Sequence, residues 1–374
     1  MSTGESRDGR VWFAQVLRGP ACVLIVVSHY GDLYLRQQPL AAAIGHFPPV
    51  PHLPDGLGAF DFGEVAVCVF FLVSGFVIPF SLALVSVRAY TVRRALRIYP
   101  TIVCCLAITL GVLALQAHLG HTAQPYSWAV VASNASLLAP YLGKPWIEPV
   151  LWTLAIEELF YVIAALLSAR GRLDDARWLV GFSIFVAVVS ALHRSTGGNP
   201  AALWLTFNLS FLPLVLLGTA VHQVWVRRWP LQRGIAVGVA LVAAFSCSMY
   251  FGPNHGLATV YVLSGLGATA VFVACAVGAV RIPYSRALDG LSNISFPLYL
   301  LHATNGYITM HWLHAHGVEY FGALPMAAAA SFAGAVLVHR FIELPTQRLG
   351  RRLGPSRSRV DQPAPGTASP GVRS

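Results

Sequence analysis

The sequence predicts an all-α integral membrane protein, a bundle of about ten transmembrane helices with both termini in the cytoplasm. Of its 374 residues, 56% are hydrophobic and only 11% are charged, whereas a soluble domain carries about 25% charged residues. Apolar stretches of about 20 residues, the length that crosses a bilayer, recur along the chain. Arginines cluster in alternate connections between these stretches. A water-soluble globule is therefore excluded.

Ten apolar stretches are the candidate helices. They cover residues 11–33, 61–84, 99–118, 147–168, 178–194, 202–225, 234–251, 257–280, 291–312 and 321–342. Several contain glycine or proline, which membrane helices tolerate because neighbouring groups satisfy the freed backbone atoms. The first stretch lacks a small-residue cleavage site, so we expect it to be retained as a helix and not removed as a signal peptide.

The basic residues assign a side of the membrane to each connection. One side receives arginine groups that begin at Arg7, Arg88, Arg170, Arg227, Arg281 and Arg348. The other side receives only Arg36, Lys144 and Arg194. The positive-inside rule then predicts that both termini are cytoplasmic. It also accounts for the net charge of +10 without a nucleic-acid partner.

Two segments of unequal length are predicted. Residues 1–348 form the transmembrane domain, and residues 349–374 form a disordered basic cytoplasmic tail, because a tail of Pro, Gly, Ser and Arg buries no core. The six cysteines lie in apolar runs without CxxC spacing, so we expect neither disulfides nor a thiol metal site. The high Ala, Arg, Gly and Val content is typical of a GC-rich bacterial genome, which places the chain in a bacterial cytoplasmic membrane.

The first candidate helix carries two ionisable residues, Arg18 and His29. They are eleven residues apart, so they project from one helix face, within about 20° of each other and about 16 Å apart along the axis. Ionisable groups within a membrane are costly and are by default functional candidates. The structural alternative is an arginine that reaches back to lipid phosphates and a histidine at the external interface.

The fourth stretch carries Glu157 and Glu158 close to its middle. Adjacent helix positions point about 100° apart, so only one of these carboxylates faces a given neighbour. A buried carboxylate requires a partner or a shifted pKa, and either property suits proton transfer. The alternative is a structural ion pair between helices.

The ninth stretch carries a polar stripe, because Ser295, Tyr299 and His302 fall at positions i, i+4 and i+7. For His302, a structural hydrogen bond to another helix is an equally good interpretation. Downstream, His311 and His314 have the spacing of metal ligands, but no carboxylate accompanies them. We therefore predict no metal site.

A basic segment, RRALRIYP, places Arg94 and Arg97 one helical turn apart. Clustered guanidinium groups suit phosphates, although the positive-inside rule alone also requires arginines here. No Walker or GxGxxG loop accompanies them, so a nucleotide-hydrolysing motor is not supported.

Taken together, these motifs resemble the membrane-bound acyltransferase 3 family over residues 12–345. The first helix of that family carries an Arg, ten intervening residues and a His, as Arg18 and His29 do here. FFLVSGFVI resembles its second-helix signature, which includes Ser74. RRALRIYP resembles its basic motif, which corresponds to Arg94 and Arg97.

Three further segments follow in the family's order. LWTLAIEELFY maps the family's functional carboxylate onto Glu157, LSNISFPLYLLH resembles its late Ser-Tyr to Leu-His motif, and FIELPTQ resembles its closing Glu-x-Pro. The sequence departs from the family where Gln15 replaces an Asp, Thr153 replaces a Ser and Phe296 replaces a Tyr. The loss of the Asp at position 15 leaves open which group pairs with the Arg18 guanidinium.

The resemblance implies a membrane-embedded O-acyltransferase that moves an acyl group, expected to be acetyl, from acyl-coenzyme A to a hydroxyl. The acceptor that it implies is a glycosylated small molecule such as a macrolide, or a cell-envelope polysaccharide. Acyl-coenzyme A is then a co-substrate, and no permanently bound cofactor is expected. The competing hypothesis is a proton-coupled transporter or exporter, in which the same ionisable residues form a relay.

Roles follow from the resemblance and from the chemistry of acyl transfer. His29 is the predicted base, and Glu157 orients that imidazole, balances its charge or holds the acceptor. Arg94 and Arg97 bind the coenzyme A phosphates, and Arg18 lines the path of the pantetheine arm or contacts the donor. A possible additional site consists of Ser74, Ser295, Tyr299 and His302. Direct transfer and an acyl-enzyme intermediate both stay open.

Overall fold

The computed structural model describes residues 11–33, 61–119, 126–196 and 200–354. Within these ranges the α-helices are, in chain order, α1 Trp12–Val16, α2 Arg18–Ser28, α3 Phe62–Leu84, α4 Val87–Leu119, α5 Trp128–Ala135, α6 Leu151–Ala169, α7 Ala176–Thr196, α8 Pro200–Leu209, α9 Leu212–Trp225, α10 Leu231–Phe251, α11 Ala258–Ala276, α12 Arg286–Leu301, α13 Ala303–Ala315, α14 Tyr320–Val338 and α15 Leu344–Leu353. Two π-helical turns, His29–Leu33 and His339–Glu343, extend α2 and join α14 to α15.

Nine helical segments in the described part of the chain are long and apolar enough to cross a membrane. They confirm the all-α membrane bundle. The predicted stretch 291–312 is not a single helix, because α12 has 16 residues, α13 has 13, and the two meet at His302. His302 itself keeps right-handed helical angles (φ −74°, ψ −35°), so the interruption is local.

Several helices begin or end outside the predicted stretches. The helix predicted to begin at residue 99 starts at Val87, so Arg94 and Arg97 lie in its first three turns and not in a connection. Arginine is a good helix former, and the helix continues through Pro100. The last helix reaches Leu353, five residues beyond the predicted domain boundary. Residues 1–10 and 34–60, which include Arg7 and Arg36, and the tail beyond Gly354 lie outside the described residues.

Helix α3 is the centre of the bundle and packs against α2, α9 and α11. Its start is fixed by Asp61, whose side chain accepts hydrogen bonds from the Gly63 and Glu64 amides at 2.6 and 3.2 Å, as an N-cap residue does. Farther along, Gly75 and Gly218 bring the backbones of α3 and α9 into direct contact. A Cβ atom at either glycine would overlap a carbonyl oxygen of the other helix. This close approach fixes the position of the adjacent Ser74.

Candidate functional site

One cavity within the bundle brings together seven of the nine side chains that the sequence singled out. Helices α2, α3, α4, α6 and α12 line it with Arg18, Ser74, Arg94, Arg97, Glu157, Ser295 and Tyr299. We call it the central cavity. Residues that are 277 or more positions apart in the chain, such as Arg18 and Ser295, therefore contribute to one site.

Glu157 is held in the central cavity through both of its carboxylate oxygens. The Ser74 hydroxyl donates to Oε1 at 2.7 Å, and the Tyr161 hydroxyl donates to Oε2 at 2.7 Å. Thr153, Glu157 and Tyr161 follow one another at one-turn spacing on α6, so they share a face. Hydrogen bonds to a charged acceptor are among the stronger ones in proteins, and they fix the orientation of this carboxylate.

Three guanidinium groups surround this carboxylate in the central cavity. The Arg94 guanidinium lies over the Tyr161 ring, 4.8 Å from its centroid, and Arg97 and Arg18 line the same space. Three positive charges around one negative charge leave the cavity positive. Because guanidinium groups bind phosphates and carboxylates through paired N–H donors, the cavity suits an anionic ligand.

A second cavity, which we call the arginine mouth, adjoins the first. Arg93, Arg94, Arg97, Gln347 and Arg351 line it, and Arg94 and Arg97 belong to both cavities. One side-chain contact there joins α4 to the end of the C-terminal helix, and a second lies within the C-terminal segment. Arg93 Nε donates to the Gly354 carbonyl at 2.6 Å, and Gln347 Nε2 donates to Glu343 Oε1 at 2.8 Å.

Glu343 of the Glu-x-Pro motif contacts side chains on both sides of it in the chain, His339 and Gln347. Glu343, which is 1% exposed, also lies 2.6 Å from His339 Nδ1 through its Oε2 atom. The motif thereby fixes the turn that carries Gln347 and Arg351 to the mouth.

The polar stripe of α12 faces α6 and α2. The hydroxyls of Tyr299 and Thr153 lie 2.7 Å apart, so threonine supplies the hydroxyl that the family's serine would. Gln15, which replaces the family's aspartate, donates from Nε2 to Asn293 Oδ1 at 3.2 Å. The departure at position 15 thus ties α1 to α12.

His29 and His302 form a pair beside the central cavity. Nε2 of His302 lies 3.0 Å from Nδ1 of His29, and Nδ1 of His302 lies 2.8 Å from the Tyr299 carbonyl oxygen. A carbonyl oxygen only accepts hydrogen bonds, so in the neutral pair His302 carries its proton on Nδ1 and accepts at Nε2 from His29. His29 is then left with an unprotonated Nε2.

Three further hydrogen bonds lie around this pair. The Tyr30 hydroxyl donates to the His302 carbonyl at 2.8 Å. Glu148, which is 1% exposed, accepts from the Thr109 hydroxyl at 2.6 Å and from the Thr304 amide at 3.2 Å. A carboxylate at the N-terminus of α13 is favourable for the helix dipole. Burial raises the pKa of Glu148 to about 7, opposed by its hydrogen bonds with Thr109 and Thr304.

From the sequence, Glu157 is expected to orient the His29 imidazole, to balance its charge or to hold the acceptor; the hydrogen-bond partner that the structure gives His29 is His302. Sequence reasoning did not identify Tyr161, Arg351 or Glu148. Tyr161 was visible as the residue one turn after Glu157, within the same motif. No local pattern marks Glu148 or Arg351, because their partners lie on helices that are distant in the chain.

A family model described as an acyltransferase domain matches residues 11–340 of this chain. Neither the curated proteins nor the solved structures include a significant match.

Proposed function

This chain belongs to the acyltransferase 3 family, and from that membership we propose that it transfers an acyl group, acetyl first among the candidates, from acyl-coenzyme A to a hydroxyl. The proposed acceptor is a glycosylated small molecule such as a macrolide, or a cell-envelope polysaccharide. The proposed location is the bacterial cytoplasmic membrane, with the arginine mouth on the cytoplasmic side. The observation that carries the proposal is the central cavity, which joins three guanidinium groups to a fixed carboxylate and is lined by Tyr299, whose carbonyl oxygen contacts the histidine pair.

The donor enters, on this proposal, through the arginine mouth. Arg94 and Arg97 bind its phosphates, since both border the mouth and the central cavity. Arg18 contacts the donor deeper in the bundle. The pantetheine arm then lies along α2, where Arg18 and His29 are separated by about 16 Å of helix axis.

His29 acts as the general base through Nε2. The acceptor hydroxyl loses its proton to Nε2 while its oxygen attacks the thioester carbonyl carbon, so that a C–O bond forms. The C–S bond then breaks, and His29 returns the proton to the departing sulfur, which leaves as the thiol of coenzyme A. His302 is a positioning residue, because its Nε2 accepts the Nδ1–H of His29 and keeps the reactive nitrogen unprotonated.

Glu157 is the proposed acceptor-binding residue in this scheme. Its oxygens are fixed by Ser74 and Tyr161, and each retains a lone pair for a sugar hydroxyl. Ser295 and Tyr299 of α12 line the same cavity.

The test uses the full chain in lipid nanodiscs, radiolabelled acyl-coenzyme A of several chain lengths and a panel of glycosylated acceptors. We expect an acylated product from the parent protein and a roughly 100- to 10,000-fold lower rate from His29→Ala. The matched control is His255→Ala, which changes an exposed histidine in the His255–Leu257 turn. Near-parent transfer by His29→Ala would remove His29 from the mechanism. Proton-coupled flux without any acyl product would favour the transporter hypothesis.

A further inference from the structure

A groove opens between α4 and α6 and adjoins the arginine mouth, with which it shares Tyr90 and Arg94. Its rim is apolar and exposed, with Val162 and Leu166 of α6 and Leu205 of α8 between 43% and 55% exposed. Exposed leucine and valine side chains on membrane-spanning helices face the lipid acyl chains. The groove is therefore open laterally, towards the hydrocarbon of the bilayer.

The floor of this groove is polar. Glu158 lies there on α6, half-buried, and Tyr99 of α4 lines the same space. Charged side chains in membrane-spanning helices face a protein interior or a water-filled path, and they mark routes of substrates or ions. A groove with an apolar rim and a carboxylate floor suits a molecule that is itself amphiphilic, with one apolar and one hydroxylated part.

The backbone that closes one side of the groove is not a regular α-helix. Leu137 has a left-handed φ of 60°, and Pro140–Leu142 forms a single 3₁₀ turn. Tyr141 contacts Asn208, which lies about 10 Å inside the span that begins at Ala201. Non-helical backbone at such a depth is tolerated where it lines a cavity, so this segment has the position expected of a binding-site wall.

The groove adjoins the central cavity. Arg94 and Tyr161 line both spaces, and their cation–π stack forms the partition between them. On the cavity side, the Tyr161 hydroxyl donates to Glu157. A ligand in the groove therefore lies one side-chain layer from the proposed acceptor-binding carboxylate.

We propose that this groove binds the apolar part of an amphiphilic acceptor, a glycoside that dissolves in the bilayer, and delivers its sugar hydroxyls past Arg94 and Tyr161 to the central cavity. The inference rests on the proposed function. It adds that the acceptor enters laterally from the membrane and that its aglycone contributes to recognition. The acyl chain of the donor is the other occupant to be distinguished.

The experiment measures transfer by the full chain in nanodiscs to pairs of glycosides that share a sugar, over a panel of sugars. Each pair compares a methyl with an octyl aglycone below micellar concentration. We expect a KM at least 10-fold lower for the octyl member. Ala165→Trp fills the groove and removes that difference. Ala169→Trp is the matched control, because it makes the same change one turn later on α6, at an exposed position outside the groove.

The outcomes separate the two hypotheses. If the parent transfers acyl groups with the same KM for methyl and octyl glycosides, the groove inference is wrong and the proposed function stands. The same conclusion follows if Ala165→Trp and Ala169→Trp have equal octyl-to-methyl KM ratios. If Ala165→Trp instead changes the preference between acetyl- and octanoyl-coenzyme A, the groove holds the donor chain and the inference is again wrong. If Ala165→Trp does not fold, Leu166→Gln, which places an amide on the apolar rim, supplies the test, and an unchanged octyl-to-methyl KM ratio contradicts the inference. No transfer to any pair contradicts the proposed function itself.

Discussion

The hydroxyl of Ser74 donates a 2.7 Å hydrogen bond to the carboxylate of Glu157, 83 residues later in the chain. The bond is possible because Gly75 lets α3 contact the backbone of α9, which fixes the adjacent serine against α6. Tyr161 binds the other carboxylate oxygen, and the Arg94 guanidinium covers the Tyr161 ring. The Glu157 carboxylate thus connects three of the family motifs, which are FFLVSGFVI, RRALRIYP and LWTLAIEELFY.

We predict that Ser74→Ala and Tyr161→Phe each lower kcat by roughly 10- to 100-fold, because a hydrogen bond to a charged group contributes about 1.5–3 kcal/mol. Steady-state kinetics of the two variants and of their double variant measure this. The combined loss is expected to be smaller than the product of the two, since both act on Glu157. Ser183→Ala, which also loses a buried serine hydroxyl bond, is the control and keeps the parent kcat. Parent-like kcat in both site variants would contradict a role for the carboxylate's orientation.

His302 is predicted to be replaceable by glutamine but not by leucine. The amide oxygen of His302→Gln can accept the Nδ1–H of His29, whereas His302→Leu offers no acceptor. We expect a kcat at least 10-fold higher for the glutamine variant than for the leucine variant, with donor KM changed less than 3-fold in both. Equal kcat values in two folded variants would assign His302 a packing role only.

Arg94 and Arg97 are predicted to bind the donor through their guanidinium geometry, beyond their charge. The double variant Arg94→Lys/Arg97→Lys keeps the positive charges that set topology but loses the paired N–H donors. We expect its KM for acyl-coenzyme A to rise about 10-fold. Added salt is expected to raise the donor KM of the parent as well. Arg170→Lys/Arg172→Lys, in the turn after α6, is the control. An unchanged donor KM would leave the arginines a topological role alone.

The glycines at the contact between α3 and α9 are predicted to be essential for stability. Gly75→Ala forces the two backbones apart and is expected to lower the free energy of unfolding by about 1–3 kcal/mol or more, read as a fall in the thermal unfolding midpoint in detergent. Gly181→Ala on α7 meets nothing within 4 Å and is expected to be neutral or stabilising, since alanine favours a helix. Equal midpoints for the two variants would mean that α3 and α9 separate at little cost.

The proposed orientation is tested with reporter fusions. A reporter after Arg172 is expected to stay in the cytoplasm, and one after Tyr126 is expected to be external, because the arginine-rich connections remain inside. A fusion after Leu353 should also be cytoplasmic. An external reporter at that position would contradict the scheme and would place the arginine mouth on the wrong side for a cytoplasmic donor.

The sequence by itself determined the fold class, because the hydrocarbon thickness sets a length of about 20 apolar residues that any window detects. It also identified Arg18, Ser74, Arg94, Arg97, Glu157, Ser295 and Tyr299, which the structure brings to one cavity. Ionisable and hydroxylated side chains stand out in an apolar background, since each is costly there. The boundaries of α4 and the interruption at His302 were not predictable from hydropathy, because arginine is compatible with a helix and His302 keeps helical angles.

The tertiary structure alone decided which of these residues are partners. Helix periodicity gives the face on which Glu157 or His29 lies, but not the helix that packs against that face. Packing of α3 on α9 through Gly75 and Gly218 brings Ser74 to Glu157, and packing of α2 on α12 brings His29 to His302. These contacts depend on backbone approach between helices that are remote in the chain, a property that is absent from any local pattern of side chains.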